Sequence, residues 1–201
     1  MDYAELHCHT VFLSHRLIKA GVTTDELIGI VTEAGFEHIV AQAAIIYAGC
    51  TISNADPMLP ETQVRHHLPG AQIVLADKKH LGCLDGYKMM PIHTNSLTEE
   101  ELQIGLQCPP PRTTRKDHRT HLMHTAGSTG KPKAVPIQAK GLIHLVSDDR
   151  AVPITPQDRV AQLSMVSFDM SMFEIWVTLP SGATILPLPW SLLKDIFELA
   201  R

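Results

Sequence analysis

The residues best suited to chemistry lie in one short run, 124–134, which reads His-Thr-Ala-Gly-Ser-Thr-Gly-Lys-Pro-Lys-Ala. Small residues let backbone N–H groups approach an anion closely, and the hydroxyl and ammonium groups of the run supply further donors. The flanking segments 121–123 and 134–137 are typical of strands. A donor-rich loop between two strands predicts a binding site for polyphosphate.

Two other interpretations of this loop have to be considered. A Gly-Ser-Thr-Gly segment also forms ordinary flexible turns. A nucleotide-binding P-loop has the pattern G-x-x-x-x-G-K-[ST], but Pro132 follows Lys131 and position 125 is not glycine. Proline also prevents the helix that starts at a P-loop lysine. The spacing excludes a P-loop and leaves phosphate binding and a plain turn as alternatives.

The loop resembles the phosphate-binding signature of adenylate-forming enzymes, Tyr-Thr-Ser-Gly-(Ser/Thr)-Thr-Gly-x-Pro-Lys-Gly. This superfamily contains acyl-CoA ligases, luciferases and the adenylation domains of nonribosomal peptide synthetases. The matching positions, with an aspartate in the approach to the loop, are Asp117, Thr125, Gly127, Ser128, Thr129, Gly130, Pro132 and Lys133. The departures are His124 for tyrosine, Ala126 for serine and Ala134 for glycine. Ala126 removes one hydroxyl donor, and Ala134 removes one flexible backbone position.

Further segments resemble motifs of the same family in the same order. Residues 2–6 resemble the opening Thr-Tyr-x-Glu-Leu motif, and residues 47–57 partly match Lys-Ala-Gly-x-x-Tyr-Val-Pro-Leu-Asp-Pro. Residues 168–174, Phe-Asp-Met-Ser-Met-Phe-Glu, with 182–184 resemble Phe-Asp-x-Ser-x-x-Glu followed by Gly-Ala-x. The similarity covers nearly the whole chain and favours the peptide-synthetase branch.

The resemblance implies a reaction in which a carboxylate attacks the α-phosphate of ATP, releasing pyrophosphate and forming an acyl-adenylate. Such chemistry needs charge neutralisation and positioning rather than covalent help, and no catalytic residue is assigned within this sequence. By resemblance, the residues that line the triphosphate are Thr125, Ser128, Thr129, Gly130 and Lys133. ATP with Mg²⁺ is the implied cofactor. The implied acceptor is a phosphopantetheine carrier that is not part of this chain.

The resemblance also implies an amino-acid substrate. In amino-acid-activating members, the aspartate that Asp169 matches pairs with the α-ammonium of the substrate, and a buried ammonium without a counter-charge is costly. Met170 and Phe173 match positions of the side-chain pocket and imply an apolar lining. A buried helix face is the alternative interpretation of the apolar residues in this segment. Glu174 is expected to serve local structure.

Alternating helical and extended patterns predict an α/β fold with a mainly parallel sheet and flanking helices. Helices are predicted at 3–19, 36–48, 61–68, 139–147, 168–179 and 190–200. Strands are predicted at 27–31, 72–75, 87–92, 121–123, 134–137, 160–165 and 183–186. Because ligands of such sheets bind beyond the carboxyl ends of the strands, the signature loop is expected at that edge.

Composition excludes several classes of function. A length of 201 residues fits one domain, and a net charge of −4 indicates neither a nucleic-acid nor a membrane-surface partner. The cysteines form no Cys-x-x-Cys pair and no signal segment or bilayer-spanning run occurs, so a cytoplasmic location is expected. His118, His121 and His124 would alternate between the faces of a strand, and no metal site is predicted.

The later motifs of the family do not occur in this sequence. They are the Tyr-Gly-Pro-Thr-Glu stretch, the ribose-binding aspartate, the hinge and the mobile C-terminal subdomain with its catalytic lysine. Residues 1–201 are therefore expected to be the N-terminal portion of an adenylation domain, inactive alone. One alternative is a non-catalytic module that binds nucleotide or docks onto a chain supplying the missing half. The other is a fragment of an acyl- or aryl-acid-CoA ligase.

Overall fold

A six-stranded, mainly parallel sheet organises the computed structural model, which describes residues 1–112, 115–125, 133–147 and 153–188. Its strands are β1 Leu27–Val31, β2 Thr51–Ala55, β3 Ile73–Ala76, β4 Lys88–Pro91, β5 Arg119–Thr125 and β6 Lys133–Gln138. They lie in the order β4-β3-β1-β2-β5-β6, and β6 runs antiparallel to β5 whereas the other neighbours are parallel. A separate parallel pair consists of β7 Arg159–Gln162 and β8 Thr184–Pro187. The predicted fold class is confirmed.

Helices cover both faces of the sheet. Those in the described residues are α1 Tyr3–Lys19, α2 Phe36–Tyr47, α3 Glu61–His66, α4 Glu99–Gln107, α5 Ala139–Ser147 and α6 Met170–Trp176. A capping box starts α1, since the Asp2 side chain accepts from the Glu5 N–H and the Glu5 carboxylate accepts from the Asp2 N–H, both at 2.9 Å. Among the described residues, no helix combines the length and the apolar character needed to cross a membrane.

The central strands separate two hydrophobic cores because successive side chains point to opposite faces. Ile30 of β1 packs with Leu17 of α1 and Ile45 of α2, and all three side chains are almost completely buried. The next residue, Val31, belongs to the core on the other face, where Val64 of α3 packs. Helices on both faces explain why β2 and β3 are buried at every position and β1 at every position after Leu27.

The predicted elements are found with small shifts at their ends. Helices 3–19 and 139–147 and strand 27–31 have the predicted bounds, whereas helix 168–179 is shortened to Met170–Trp176. Strand 160–165 ends at Gln162, because the next N–H groups, of Leu163 and Ser164, lie 3.3 and 3.0 Å from the Glu174 carboxylate. The predicted helix 190–200 lies outside the described residues.

Two elements were not predicted, β2 and α4. The sequence of β2, Thr-Ile-Ser-Asn-Ala, carries three polar residues yet is buried along its whole length. Because strands are recognised in a sequence by apolar or alternating runs, the polar residues of β2 prevent its prediction. A signal for α4 was present, since Thr98 and Glu101 have the spacing of a capping box and form one.

Candidate functional site

The ends of two paired strands define the base of the signature loop. β5 ends at Thr125 and β6 begins at Lys133, and these two residues are partners in the antiparallel register. Both side chains are exposed. Because β5 runs parallel to β2, Thr125 lies at the carboxyl edge of the sheet, where the loop was expected. Ser128, Thr129 and Gly130 lie outside the described residues.

A stacked pair of histidines supports the end of β5. The ladder between β2 and β5 has one paired position, Ile52 with His121. Beyond it, the ring of His124 stacks on His67, which follows α3, with ring centroids 4.8 Å apart and an interplanar angle of 13°. The Ser53 hydroxyl of β2 donates to the His67 carbonyl. Side-chain contacts therefore hold β2, the end of α3 and β5 together where the backbone ladder between β2 and β5 has no further paired position among the described residues.

Burial keeps this pair uncharged near neutral pH. Desolvation, followed by the proximity of His67, lowers the pKa of His124 to about 4. Desolvation and then His66 lower the pKa of His67, and Asp56 opposes the shift only in part. Since two protonated rings would repel each other, the stack disfavours the doubly charged state.

On the opposite face, His121 belongs to a buried polar network, as the predicted alternation requires. The indole Nε1–H of Trp176 in α6 donates to Gln42 Oε1 of α2 at 3.0 Å, and His121 Nε2 lies 3.1 Å from the same oxygen. Indole can only donate, so Gln42 Oε1 is the acceptor and His121 Nε2 carries the proton. The network ties α6 to both α2 and β5.

The network continues from Gln42 to a second buried histidine. Gln42 Nε2 donates to His38 Nε2 at 3.1 Å, and His38 Nδ1 lies 3.3 Å from the side-chain amide of Gln162 at the end of β7. Burial lowers the pKa of His38 to about 4 and that of His121 to about 3. Sequence reasoning missed this network. Its local signal is the pair His38 and Gln42, which lie one turn apart on α2 among mostly apolar residues.

Asp169 has a free carboxylate at the start of α6. It occupies the N-cap position, makes no side-chain capping bond and is exposed. Met170 next to it is 57% exposed, and Phe173 is half-buried. The apolar residues of α6 that face the interior are Ile175, which is fully buried, and Met172 and Trp176, which share a core with Met123. The alternative of a buried helix face therefore holds for these three residues and fails for Phe168, which is 55% exposed.

Glu174 has the structural role that was expected. Its side chain is buried, and its carboxylate accepts hydrogen bonds from the Ser164 hydroxyl at 2.7 Å and the Ser164 N–H at 3.0 Å. These bonds hold the segment that follows β7 against α6. Met172 in turn packs with Met123 of β5, so α6 and the strand that leads to the loop share a core.

A cleft of about 110 Å³ opens at the carboxyl ends of β1, β2 and β7. Its polar lining includes Glu33, Asp56 and Gln162. Asp169, Met170 and Phe173 are not among its lining residues. The described part of the chain therefore places the proposed substrate residues outside this cleft. In the same part, no group of three or more histidine, cysteine, aspartate or glutamate side chains is arranged to hold a metal ion.

Comparison with known proteins gives relatives over the whole length. The chain is 50% identical over 203 residues to the non-canonical nonribosomal peptide synthetase cpsA of Aspergillus campestris, covering 100% of this chain and 19% of that protein. It is 35% identical over 211 residues to the aldehyde reductase lnbA of Aspergillus flavus, covering 100% of this chain and 20% of that protein. The chain thus spans about a fifth of the length of these relatives.

Among solved structures, the AMPPNP-bound form of the nonribosomal peptide synthetase FmoA3 is similar, with a TM-score of 0.77 and 27% identity. The match covers 92% of this chain and 19% of that one. The N-terminal subdomain of Klebsiella oxytoca NpsA shares the fold, with a TM-score of 0.75 at 23% identity. The family model "AMP-binding enzyme" matches residues 1–200. The chain therefore belongs to the AMP-binding enzyme family and corresponds to the N-terminal part of a peptide-synthetase adenylation domain.

Proposed function

We propose that this chain supplies the triphosphate loop and the ammonium-binding aspartate of an amino-acid-adenylating ligase. An amino-acid carboxylate would attack the α-phosphorus of ATP, pyrophosphate would leave, and an aminoacyl-adenylate would form. The observation that carries the proposal is the placement of Thr125 and Lys133 at the carboxyl edge of the parallel sheet. The residues that close the site would lie in the length that the relatives have beyond the matched region. The chain alone is therefore proposed to have little or no activity.

The proposed phosphate contacts combine described and undescribed residues. Thr125 and Lys133 are exposed at the ends of β5 and β6, so their hydroxyl and ammonium groups are available to an anion. Ser128, Thr129 and Gly130 are proposed to complete the cradle by resemblance. A lysine ammonium acts here as a compact positive charge on the phosphates.

The choice of an amino acid over a plain acid depends on Asp169. Its exposed carboxylate has no hydrogen-bond or ion-pair partner among the described residues, so it remains available for a substrate ammonium. Met170 and Phe173 are proposed to contact the substrate side chain. An acyl- or aryl-acid ligase would gain nothing from a carboxylate at this position, because its substrate carries no α-ammonium.

Magnesium and the thiol acceptor are proposed to come from outside the described residues. Because those residues hold no preformed cluster of metal ligands, Mg²⁺ is proposed to enter with the ATP phosphates. A phosphopantetheine carrier, supplied by another domain or chain, is proposed as the acceptor of the aminoacyl group.

A docking function is the second candidate, favoured by the surface around α6. The β7–β8 pair forms a two-stranded sheet in the described part of the chain, and such a pair is marginally stable by itself. Leu163 and Phe168 near it are exposed apolar side chains. Surface of this kind is typical of an interface, here with a chain that supplies the rest of the adenylation domain.

Amino-acid-dependent exchange between ATP and pyrophosphate tests the proposal. The purified chain is expected to show no exchange alone and to gain it when mixed with the remaining part of the cpsA adenylation domain. Robust exchange by the chain alone would contradict the inactive-alone proposal. If the mixture forms a complex that neither binds ATP nor catalyses exchange, the ligase proposal is wrong and the docking function is supported. Exchange with aryl or fatty acids but not amino acids would reverse the choice of substrate.

A further inference from the structure

A cavity unrelated to the loop lies between α1, α2 and α6. Its volume is about 310 Å³. Four ring side chains line it, namely Tyr3, His7, Tyr47 and Trp176, and most of the remaining lining is aliphatic. Tyr47 is the last residue of α2, just before β2 begins, so the cavity lies towards the amino edge of the sheet. Thr125 is at the carboxyl edge, and the cavity is therefore distinct from the proposed phosphate site.

One polar group in the lining has no partner. Thr10 is 2% exposed, and its Oγ1 makes no hydrogen bond within the described residues. A threonine hydroxyl in a helix commonly donates to a carbonyl one turn earlier, which Thr10 does not do. A buried hydroxyl without a partner destabilises the folded chain, so a ligand group that forms a hydrogen bond with it removes this cost and binds more tightly.

The other polar groups of the lining are already paired. The Tyr3 hydroxyl donates to the Ala183 carbonyl at 2.6 Å. His7 Nε2 lies 3.2 Å from the Cys108 carbonyl and therefore carries the ring proton, which leaves His7 Nδ1 to accept from the Tyr47 hydroxyl at 3.4 Å. The rings consequently offer apolar surface, and Thr10 offers the one unused hydroxyl.

We propose that this cavity binds a small, neutral aromatic molecule that carries one hydroxyl group. Ring side chains favour an aromatic ligand through offset or edge contacts. The volume is at the lower end of the range for small-molecule sites, about 300 Å³. No carboxylate, ammonium or guanidinium belongs to the described lining, which favours an uncharged ligand. The ligand hydroxyl pairs with Thr10, and its ring lies against Tyr47 and Trp176.

Trp176 provides a direct reporter of binding. Its ring lines the cavity, while its Nε1–H is held by Gln42 at 3.0 Å. The sequence contains one other tryptophan, Trp190, so a Trp190→Phe chain has a single indole N–H resonance. A ligand that enters the cavity is expected to shift this resonance.

Titration of the Trp190→Phe chain with 2-naphthol and naphthalene, followed by nuclear magnetic resonance, tests the proposal. Both ligands are expected to shift the Trp176 signal. A further Thr10→Val substitution keeps the shape and removes the hydroxyl. It is expected to lower the preference for 2-naphthol over naphthalene by about five- to tenfold, the ratio for one net hydrogen bond. The matched control Thr62→Val, at an exposed position of α3, should leave the preference unchanged.

A cavity-filling variant provides the second arm. Ala43 lines the cavity, and Ala43→Phe is expected to abolish binding of both ligands while the circular dichroism spectrum stays unchanged. The proposal is overturned if neither ligand shifts the Trp176 signal, if Thr10→Val keeps the full preference, or if a folded Ala43→Phe chain still binds. No nucleotide enters these titrations, so failure of the proposed ligase function would leave their result unaffected.

Discussion

The imidazole ring of His124, the penultimate residue of β5, stacks on that of His67 at a centroid distance of 4.8 Å. The contact joins the loop base to the end of α3, across a part of the sheet where β2 and β5 are not paired in the ladder. His124 stands where the family signature has tyrosine. An aromatic ring is thus retained at this position, and here its partner is a second histidine.

The stack should be measurable as a coupling free energy. We expect His67→Ala and His124→Ala each to destabilise the chain. The loss in the free energy of unfolding of the double variant should be about 0.5–1.5 kcal/mol smaller than the sum of the losses of the two single variants. The sum counts the stacking contact twice, because each single substitution already removes it. Urea denaturation of the four chains measures this cycle. A cycle pairing His124→Ala with His15→Ala, an exposed position on α1, should be additive, and equal coupling in both cycles would argue against a direct contact.

Stability should fall as the pH drops from about 6.5 towards 4. Burial lowers the pKa of His121 to about 3 and of His38 to about 4, so the unfolded chain binds more protons than the folded chain in this window. The folded state is then favoured most above pH 6.5. Each histidine contributes a slope that reaches at most about 1.4 kcal/mol per pH unit near the middle of the window.

Urea denaturation at pH 7.5, 6.5 and 5.5 measures this slope. A His121→Gln chain should show a shallower dependence, since one titrating group is gone from the buried network. A His15→Gln chain changes an exposed histidine and should keep the original slope. If the His121→Gln chain also keeps the original dependence of stability on pH, the loss of stability in acid comes from groups other than His121.

Local patterns predicted the elements that carry their own signals, and they could not predict the contacts between distant segments. The apolar run of β1 and the amphipathic pattern of α1 were sufficient to place both elements. The strand β2 was missed because its polar residues find partners far along the chain, such as the Arg119 carbonyl, which accepts from the Thr51 hydroxyl at 2.8 Å. No spacing rule brings residues 67 and 124 together, since only the folded sheet places α3 beside β5.

Gln42 should be essential for stability because two donors depend on its side-chain oxygen. Gln42→Leu leaves the Trp176 Nε1–H and the His121 Nε2–H buried without an acceptor. At about 1–3 kcal/mol for each unsatisfied group, the free energy of unfolding should drop by at least about 2 kcal/mol. Gln63→Leu, at an exposed position of α3, is the matched control and should change it by less than about 0.5 kcal/mol. Equal effects of the two substitutions would contradict the assigned network.

Lys133 should contribute to ATP affinity. A charge-assisted contact with phosphate is worth about 1.5–3 kcal/mol, so Lys133→Ala should weaken ATP binding by about 10- to 100-fold. Isothermal titration calorimetry of the complex between the chain and the rest of the adenylation domain provides the measurement. Lys19→Ala, an exposed lysine at the end of α1, should bind ATP as the unchanged chain does. Unchanged affinity of the Lys133→Ala chain would remove this lysine from the phosphate site.

Asp169 should control substrate choice without affecting the fold. Its carboxylate is exposed and does not cap α6, so Asp169→Ala should change the free energy of unfolding by less than about 0.5 kcal/mol. In the complex with the rest of the domain, the same change removes the counter-charge of a desolvated ammonium. Amino-acid-dependent exchange should then fall at least about thirtyfold in kcat/KM, equivalent to about 2 kcal/mol, with the KM for ATP unchanged.

The conservative variant separates charge from shape at this position. Asp169→Asn keeps the size of the side chain, so a loss of exchange equal to that of Asp169→Ala would assign the effect to the charge. Asp85→Asn, at an exposed position elsewhere on the chain, should leave exchange intact. Exchange that survives both changes at Asp169 would mean that the ammonium is held by another group, or that the substrate has none. Because neither change should unfold the chain, either result identifies the role of this one carboxylate.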